Sequence, residues 1–259
     1  VKSKKQIIIL SILFMILLMV IIYRYFKDET VYMLKEYNQQ GRLLGTNEYV
    51  IRNGDTIMHG KFVNYNDKGI KISEGQFFED EPHGECIYYT EDGKKEVVQY
   101  RKNSTITLES TFYNPKGYIE EYVVYDDIGH SSFIIKYDEK GVIRYDGYPQ
   151  IEVYQYKFAN KAKFNIKKEQ NLKVGDTLKY SYIVANIPNT IRSFQIENLK
   201  VPGSEVVRIL KNVPPAQIDV KEVLMKKGKN TIRSIVKYEF KDKITPVFTD
   251  TISFDINVN

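Results

Sequence analysis

A five-residue pattern, Tyr-x-x-x-Gly, recurs six times in the middle of the chain and limits what that stretch can fold into more than any other feature. It begins at Tyr37, Tyr65, Tyr89, Tyr113, Tyr125 and Tyr137 and ends at Gly41, Gly69, Gly93, Gly117, Gly129 and Gly141. The intervals between starts are 28, 24, 24, 12 and 12 residues, so the underlying step is about twelve, and Phe77 and Tyr100 fall near the vacant steps. Repetition at that step predicts a chain of short, similar units that each contact their neighbours.

The unit is legible in Tyr113-Asn114-Pro115-Lys116-Gly117. Asn first, Pro second and Gly fourth suit a type I turn followed by a left-handed residue. Tyr65 to Gly69 and Tyr137 to Gly141 follow the same scheme, with Asn or Asp able to bond its own backbone at the turn entry. Each motif therefore reads as a hairpin tip, with Tyr65, Gly69, Tyr89, Gly93, Tyr113, Gly117, Tyr125, Gly129, Tyr137 and Gly141 as its structural residues. Twelve residues less a turn of about four leave roughly eight per strand, and Tyr-rich alternation such as Glu121 to Tyr125 fits successive strands of a meander. An elongated, twisted antiparallel sheet is expected. A recurring Tyr and Gly are what a hairpin needs for packing and turning, so binding is expected from a sheet face and not from one tyrosine.

The segments Gly60-Lys61-Phe62-Val63-Asn64-Tyr65-Asn66-Asp67-Lys68-Gly69, Gly75-Gln76-Phe77 and Gly84 to Gly93 resemble the MORN-repeat-like proteins of bacteria, including those called YwqK-family antitoxins. The resemblance spans residues 37–147 and is clearest over 54–101. After Gly93 the leading Gly of the unit gives way to Ser110 or Glu121, so the later repeats depart from the pattern. What the resemblance implies is a module that meets proteins or lipids; it names no target.

Beyond Tyr148-Pro149 the pattern stops and a different strand grammar begins, with a boundary expected near Asn160. Leu178, Tyr180, Tyr182 and Val184 alternate with polar residues, as do Ile232, Val236, Tyr238 and Phe240, and Ile252, Phe254, Ile256 and Val258. Turn signals at Gly175, Pro202-Gly203, Pro214-Pro215 and Gly228 divide this part into about seven strands, the count of an immunoglobulin-like β-sandwich. The cysteine pair and Trp of antibody domains are absent, so the likeness is to the broad cysteine-free bacterial Ig-like class. Three parts are thus expected: residues 1–27 as a cytoplasmic stub and anchor, 28–159 as the MORN-like repeat domain and 160–259 as the sandwich.

From Ile7 to Tyr23 the chain reads IIILSILFMILLMVIIY, without a charge. As a helix at about 1.5 Å per residue the run spans roughly 25 Å, and Tyr23, Tyr25 and Phe26 extend it to the headgroup level. One transmembrane helix is expected, with Ile7, Leu13, Leu18, Ile22 and Tyr23 as membrane-anchor residues. Lys2, Lys4 and Lys5 precede the run, which by the positive-inside bias places the N-terminus in the cytoplasm. No small-residue cleavage site and no Cys follow it, so an uncleaved signal anchor is read in preference to a signal peptide or a lipoprotein. The expected location is the bacterial inner membrane, single-pass, with the β domains periplasmic.

Charge is uneven. Residues 1–159 carry 20 Lys+Arg against 23 Asp+Glu, a net of −3, and residues 160–259 carry 18 against 10, a net of +8. The basic end favours anionic lipid, an anionic envelope polymer or an acidic partner protein; nucleic acid is not expected.

Chemistry is thin. Cys86 is the single cysteine, and His59, His83 and His130 are the only histidines, none at a metal-ligand spacing from another. Asp80, Glu81 and His83 read as a solvated turn, and Cys86 as a small strand hydrophobe. Phosphate loops, nucleophile elbows and zinc motifs are missing, so no cofactor, metal or catalytic residue is expected. The function expected is a non-enzymatic interaction or scaffold protein of the envelope, binding through the repeat sheet. An antitoxin or immunity protein that neutralises a partner toxin is the alternative, and a degenerate hydrolase using His83 or Cys86 is a third.

Overall fold

The computed structural model of the 259-residue chain describes residues 12, 14, 15, 19, 29–126, 128–153 and 172–259, the side chains of 153 and 204 excepted. Within the N-terminal run, Ile12, Phe14, Met15 and Met19 are helical and exposed. The expected anchor residues Ile7, Leu13, Leu18, Ile22 and Tyr23 lie outside the described residues. Among the described residues no helix is long and apolar enough to cross a membrane.

The fold is all-β, a ten-stranded antiparallel sheet followed by two smaller ones. The first five strands are β1 (Tyr32–Tyr37), β2 (Leu43–Arg52), β3 (Asp55–Tyr65), β4 (Lys71–Phe78) and β5 (Glu81–Tyr89). Then come β6 (Lys95–Arg101), β7 (Thr107–Tyr113), β8 (Ile119–Tyr125), β9 (Ser131–Asp138) and β10 (Gly141–Gly147). Every strand pairs with the one before it in the chain, so the whole sheet is a meander.

Local chemistry sets each tip. At the β3–β4 turn the Gly69 N–H donates to the Asn66 carbonyl at 2.8 Å, and the Asn66 N–H donates to the Ile70 carbonyl at 2.9 Å. Asn66 Oδ1 accepts from the N–H groups of Lys68 and Ile70, both at 3.0 Å. Gly69 takes a φ of 78°, the left-handed region that a residue closing such a turn must enter. The extra turn residue is absorbed as a register shift between Asn64 and Tyr65, a β-bulge. Asn38, Thr90, Asn114 and Asp126 head turns with the same pair of main-chain bonds.

The tips after β1, β3, β5 and β7 share one end of the sheet, which is why the motif first repeats at two-strand intervals of 28, 24 and 24 residues. At the other end the vacant steps hold hairpins built differently. Asn53-Gly54 and Glu79-Asp80 turn with positive φ at both residues. The β6–β7 loop is held by Asn103 Oδ1, which accepts from the N–H groups of Thr105 and Ile106 at 3.0 and 2.8 Å.

The next strand, β11 (Gln150–Val153), pairs with β12 (Thr177–Val184) and not with β10. The change of sheet therefore falls between Gly147 and Gln150, while Asn160 lies outside the described residues. β11 and β12 join β15 (Gln217–Val223) and β14 (Arg208–Val213) in a four-stranded sheet of order β11-β12-β15-β14. β13 (Thr190–Asn198), β16 (Gly228–Phe240) and β17 (Phe248–Val258) form a three-stranded sheet in that order. Their inner faces meet in one core, where Leu178, Tyr180, Tyr182, Ile218 and Val220 pack with Ile232, Val236, Tyr238, Ile256 and Val258.

That core does not stop at the smaller sheets. Tyr122, Val124, Phe133 and Ile135 of β8 and β9 belong to the same buried cluster, and the Phe248 ring stacks 4.5 Å from Tyr145 and 6.0 Å from Phe133. Directly paired residues share a sheet face, so the register puts Cys86, Gln99, Ser110, Val123 and Ile134 in one row on one face. The same register puts Glu85, Tyr100, Glu109, Val124 and Phe133 in a row on the other, the face that meets the smaller sheets.

Candidate functional site

Followed from Phe133 back along its row, the sheet face leaves the shared core and opens on a cleft of about 550 Å³ between β5–β8 and the smaller sheets. One wall carries Glu85, Tyr100, Glu109, Thr111 and Tyr113; the other carries Asn186, Pro188, Arg192, Asn212 and the Pro214-Pro215 turn. The Pro214-Pro215 peptide bond is cis, and this turn separates the cleft from a second pocket of about 400 Å³ bordered by His83, Arg101 and Lys102.

Glu109 forms the floor of the cleft and is only 8% exposed. Its Oε1 accepts from the Tyr122 hydroxyl and, at 3.1 Å, from the Asn186 N–H, which also donates to the Tyr122 oxygen at 2.7 Å. This trio ties β7 and β8 to the segment that follows β12. Burial pushes the Glu109 carboxyl up to about 7, against the opposing pull of the Tyr122 and Asn186 donors and the Arg192 charge. The Tyr122 hydroxyl is raised by its own burial and then by Glu109. Arg192 is held by donating through Nη1 to the carbonyls of Val184 and Ala185 at 2.9 and 3.3 Å.

Of the residues singled out in the sequence, Tyr113 lines this cleft and Tyr125 the second pocket. Tyr65, Tyr89 and Tyr137 end or nearly end their strands beside the turns of Gly69, Gly93 and Gly141, and Gly117 and Gly129 close the turns after Tyr113 and Tyr125. Glu109, Asn186, Arg192 and Asn212 were not expected. The one signal for Glu109 is an acid at the same strand parity as Thr111 and Tyr113, on the side that Tyr122 and Val124 bury.

The acidic and imidazole groups of the β4–β5 turn do not converge. Asp80 Oδ1 accepts from the Met58 N–H at 2.7 Å, the Ser104 hydroxyl donates to Glu81 Oε1 at 3.4 Å, and His83 Nδ1 lies 3.1 Å from the Lys102 carbonyl oxygen. Cys86 is fully buried, and burial raises its thiol pKa, so the reactive thiolate is disfavoured. Its surroundings are tight: a Cβ on Gly75 would sit 2.8 Å from Cys86 Sγ and 2.9 Å from the Phe62 ring. Among the described residues no three His, Cys, Asp or Glu side chains gather as a metal site.

No family model and no curated protein matches the sequence. Among solved structures the chain is similar to domains 4 and 5 of the S-layer protein SbsC, with 8% identity, 88% of this chain and 97% of that one covered, and a TM-score of 0.23. The likeness is distant, and at that score it carries no argument.

Proposed function

We propose that this chain is a membrane-tethered, non-enzymatic interaction protein of the bacterial envelope, binding a protein or surface polymer through its repeat sheet. In this reading the uncharged run from Ile7 to Tyr23 is a single-pass anchor, and the β structure stands on the periplasmic side. The long sheet is MORN-like and the smaller pair is an Ig-like sandwich. The strand orders β11-β12-β15-β14 and β13-β16-β17 support the second assignment, because they follow the A-B-E-D and C-F-G pattern of constant-type Ig domains. Fold analogy lends no partner.

The observation that carries the binding role is the cleft, where a row of repeat-sheet side chains faces the sandwich across open space and a buried acid lies at the bottom. The test uses full-length, C-terminally tagged chain. It is expected to resist alkaline extraction from membranes, to lose its tag to protease added to spheroplasts, and in mild detergent to retain an envelope component that the Tyr113→Ala/Asn212→Ala double variant releases. Recovery in the aqueous fraction, a protected tag, or capture indifferent to the double variant would each remove the proposal.

A further inference from the structure

We infer that the cleft between the repeat sheet and the smaller sheets is a site for a short, uncharged saccharide, an inference that rests on the proposed binding role and gives it a ligand class. The first support is the polar lining. Among the described residues, the side chains of Asn186, Asn212 and Thr111 and the hydroxyls of Tyr100 and Tyr113 border the cleft without a hydrogen bond to another protein group. Asn186 and Asn212 are exposed and the other three half-buried, so a ligand can reach all five. Glu109 spends Oε1 on Tyr122 and Asn186 and leaves Oε2 without a partner. These groups both donate and accept, as each hydroxyl of a sugar ring does. The Pro188, Pro214 and Pro215 rings, with the Tyr113 ring on the side not taken by Lys95, whose Nζ lies 5.3 Å from the Tyr113 ring centroid, supply apolar surface for the C–H faces of such a ring.

Charge argues against ionic ligands. Arg192 disfavours a cation and Glu85 disfavours an anion, so neither sign finds a one-signed field to enter. β6, β7 and β8 are hydrogen-bonded to neighbours on both sides and offer no main-chain edge; β14, which carries Asn212, is the outer strand of its sheet, and an extended peptide added there is what the peptide arms of the array would detect. The volume of about 550 Å³ falls within the roughly 300–1,000 Å³ range of small-molecule sites.

The experiment presents purified full-length chain, in mild detergent, to an array of neutral di- to tetrasaccharides of hexose and N-acetylhexosamine. Uronic-acid oligosaccharides and Lys-rich and Pro-rich peptides share the array, and calorimetry follows with the neutral saccharide that binds best. Expected is binding to neutral saccharides, weakened roughly tenfold by Asn212→Ala, about the worth of one hydrogen bond. Tyr113→Ala is expected to do the same, while Lys211→Ala leaves binding unchanged. Asn212 and Lys211 are exposed on β14, so their variants are expected to melt with the parent, which thermal melts of each variant, Tyr113→Ala included, are to check. A silent neutral panel, response to uronic acids or peptides alone, or affinity unmoved by both Asn212→Ala and Tyr113→Ala would overturn the inference. If the envelope capture persists while the neutral panel is silent, the saccharide falls and the interaction role stands; if both fail, both fall.

Discussion

Burial of Glu109 links a single proton to the stability of the junction between the sheets. Its carboxyl sits at about 7 in the folded chain against an ordinary 4.5, so the native state holds the proton more tightly than the unfolded state does. The stabilisation from that proton is complete below pH 4.5 and is lost as pH rises through 7, costing about 3 kcal/mol above it. Glu109→Gln keeps an acceptor for Tyr122 and Asn186 without the charge. Denaturant unfolding is expected to place the variant level with the parent at pH 4.5 and above it by up to about 3 kcal/mol at pH 8. Glu152, also raised to about 7 by burial, adds a slope common to both proteins, so the quantity to compare is their difference. Parallel curves would show that Glu109 does not titrate in this range. None of this was legible in the sequence, where Glu109 is one acid in a Thr-rich strand; its burial depends on a contact with Asn186, 77 residues away.

Hairpins, by contrast, were legible, because their chemistry is local. Asn114, Pro115 and Gly117 specify a turn whatever lies beyond it, and the main-chain bonds from Gly117 to Asn114 and from Asn114 to Tyr118, 2.8 and 2.9 Å, close within five residues. The tips at Glu79-Asp80 and Lys102–Ile106 escaped the motif because they use other turn chemistry, although the strands around them keep the same step. Between tips, elements depend on close approach. Gly75 on β4 lies where Phe62 and Cys86 meet, so Gly75→Ala is expected to cost about 1–3 kcal/mol through overpacking. Cys86→Ala makes room for the new methyl on one side, and in a double-mutant cycle the pair should cost less than the sum of the singles. Strict additivity, or no cost from Gly75→Ala, would mean that this layer is loosely packed.

For the whole molecule, alternation and turn signals put about seven strands after residue 160, whereas the described residues there hold six, β12 to β17. The seventh strand of the smaller sheets, β11, comes from the stretch read as repeat, and the fusion of these sheets to the long one was not legible either. Only β8 and β9 contribute buried residues to the shared core, whereas all six residues of β1 are exposed. Stability should therefore grade along the sheet. Hydrogen exchange is expected to be fastest in β1, slower in β3 to β5 and slowest in β8, β9, β12 and β16. Equal protection of β1 and β9 would mean that the sheet opens as one unit.

A meander that touches the smaller sheets at one end alone is also a ruler. At about 4.8 Å per strand, nine intervals set β1 roughly 43 Å from β10, measured across the strands. Inserting or deleting a two-strand unit at the far end would change that reach by about 10 Å without disturbing Glu109 or its neighbours, so how far the chain extends and what its cleft holds can be varied independently.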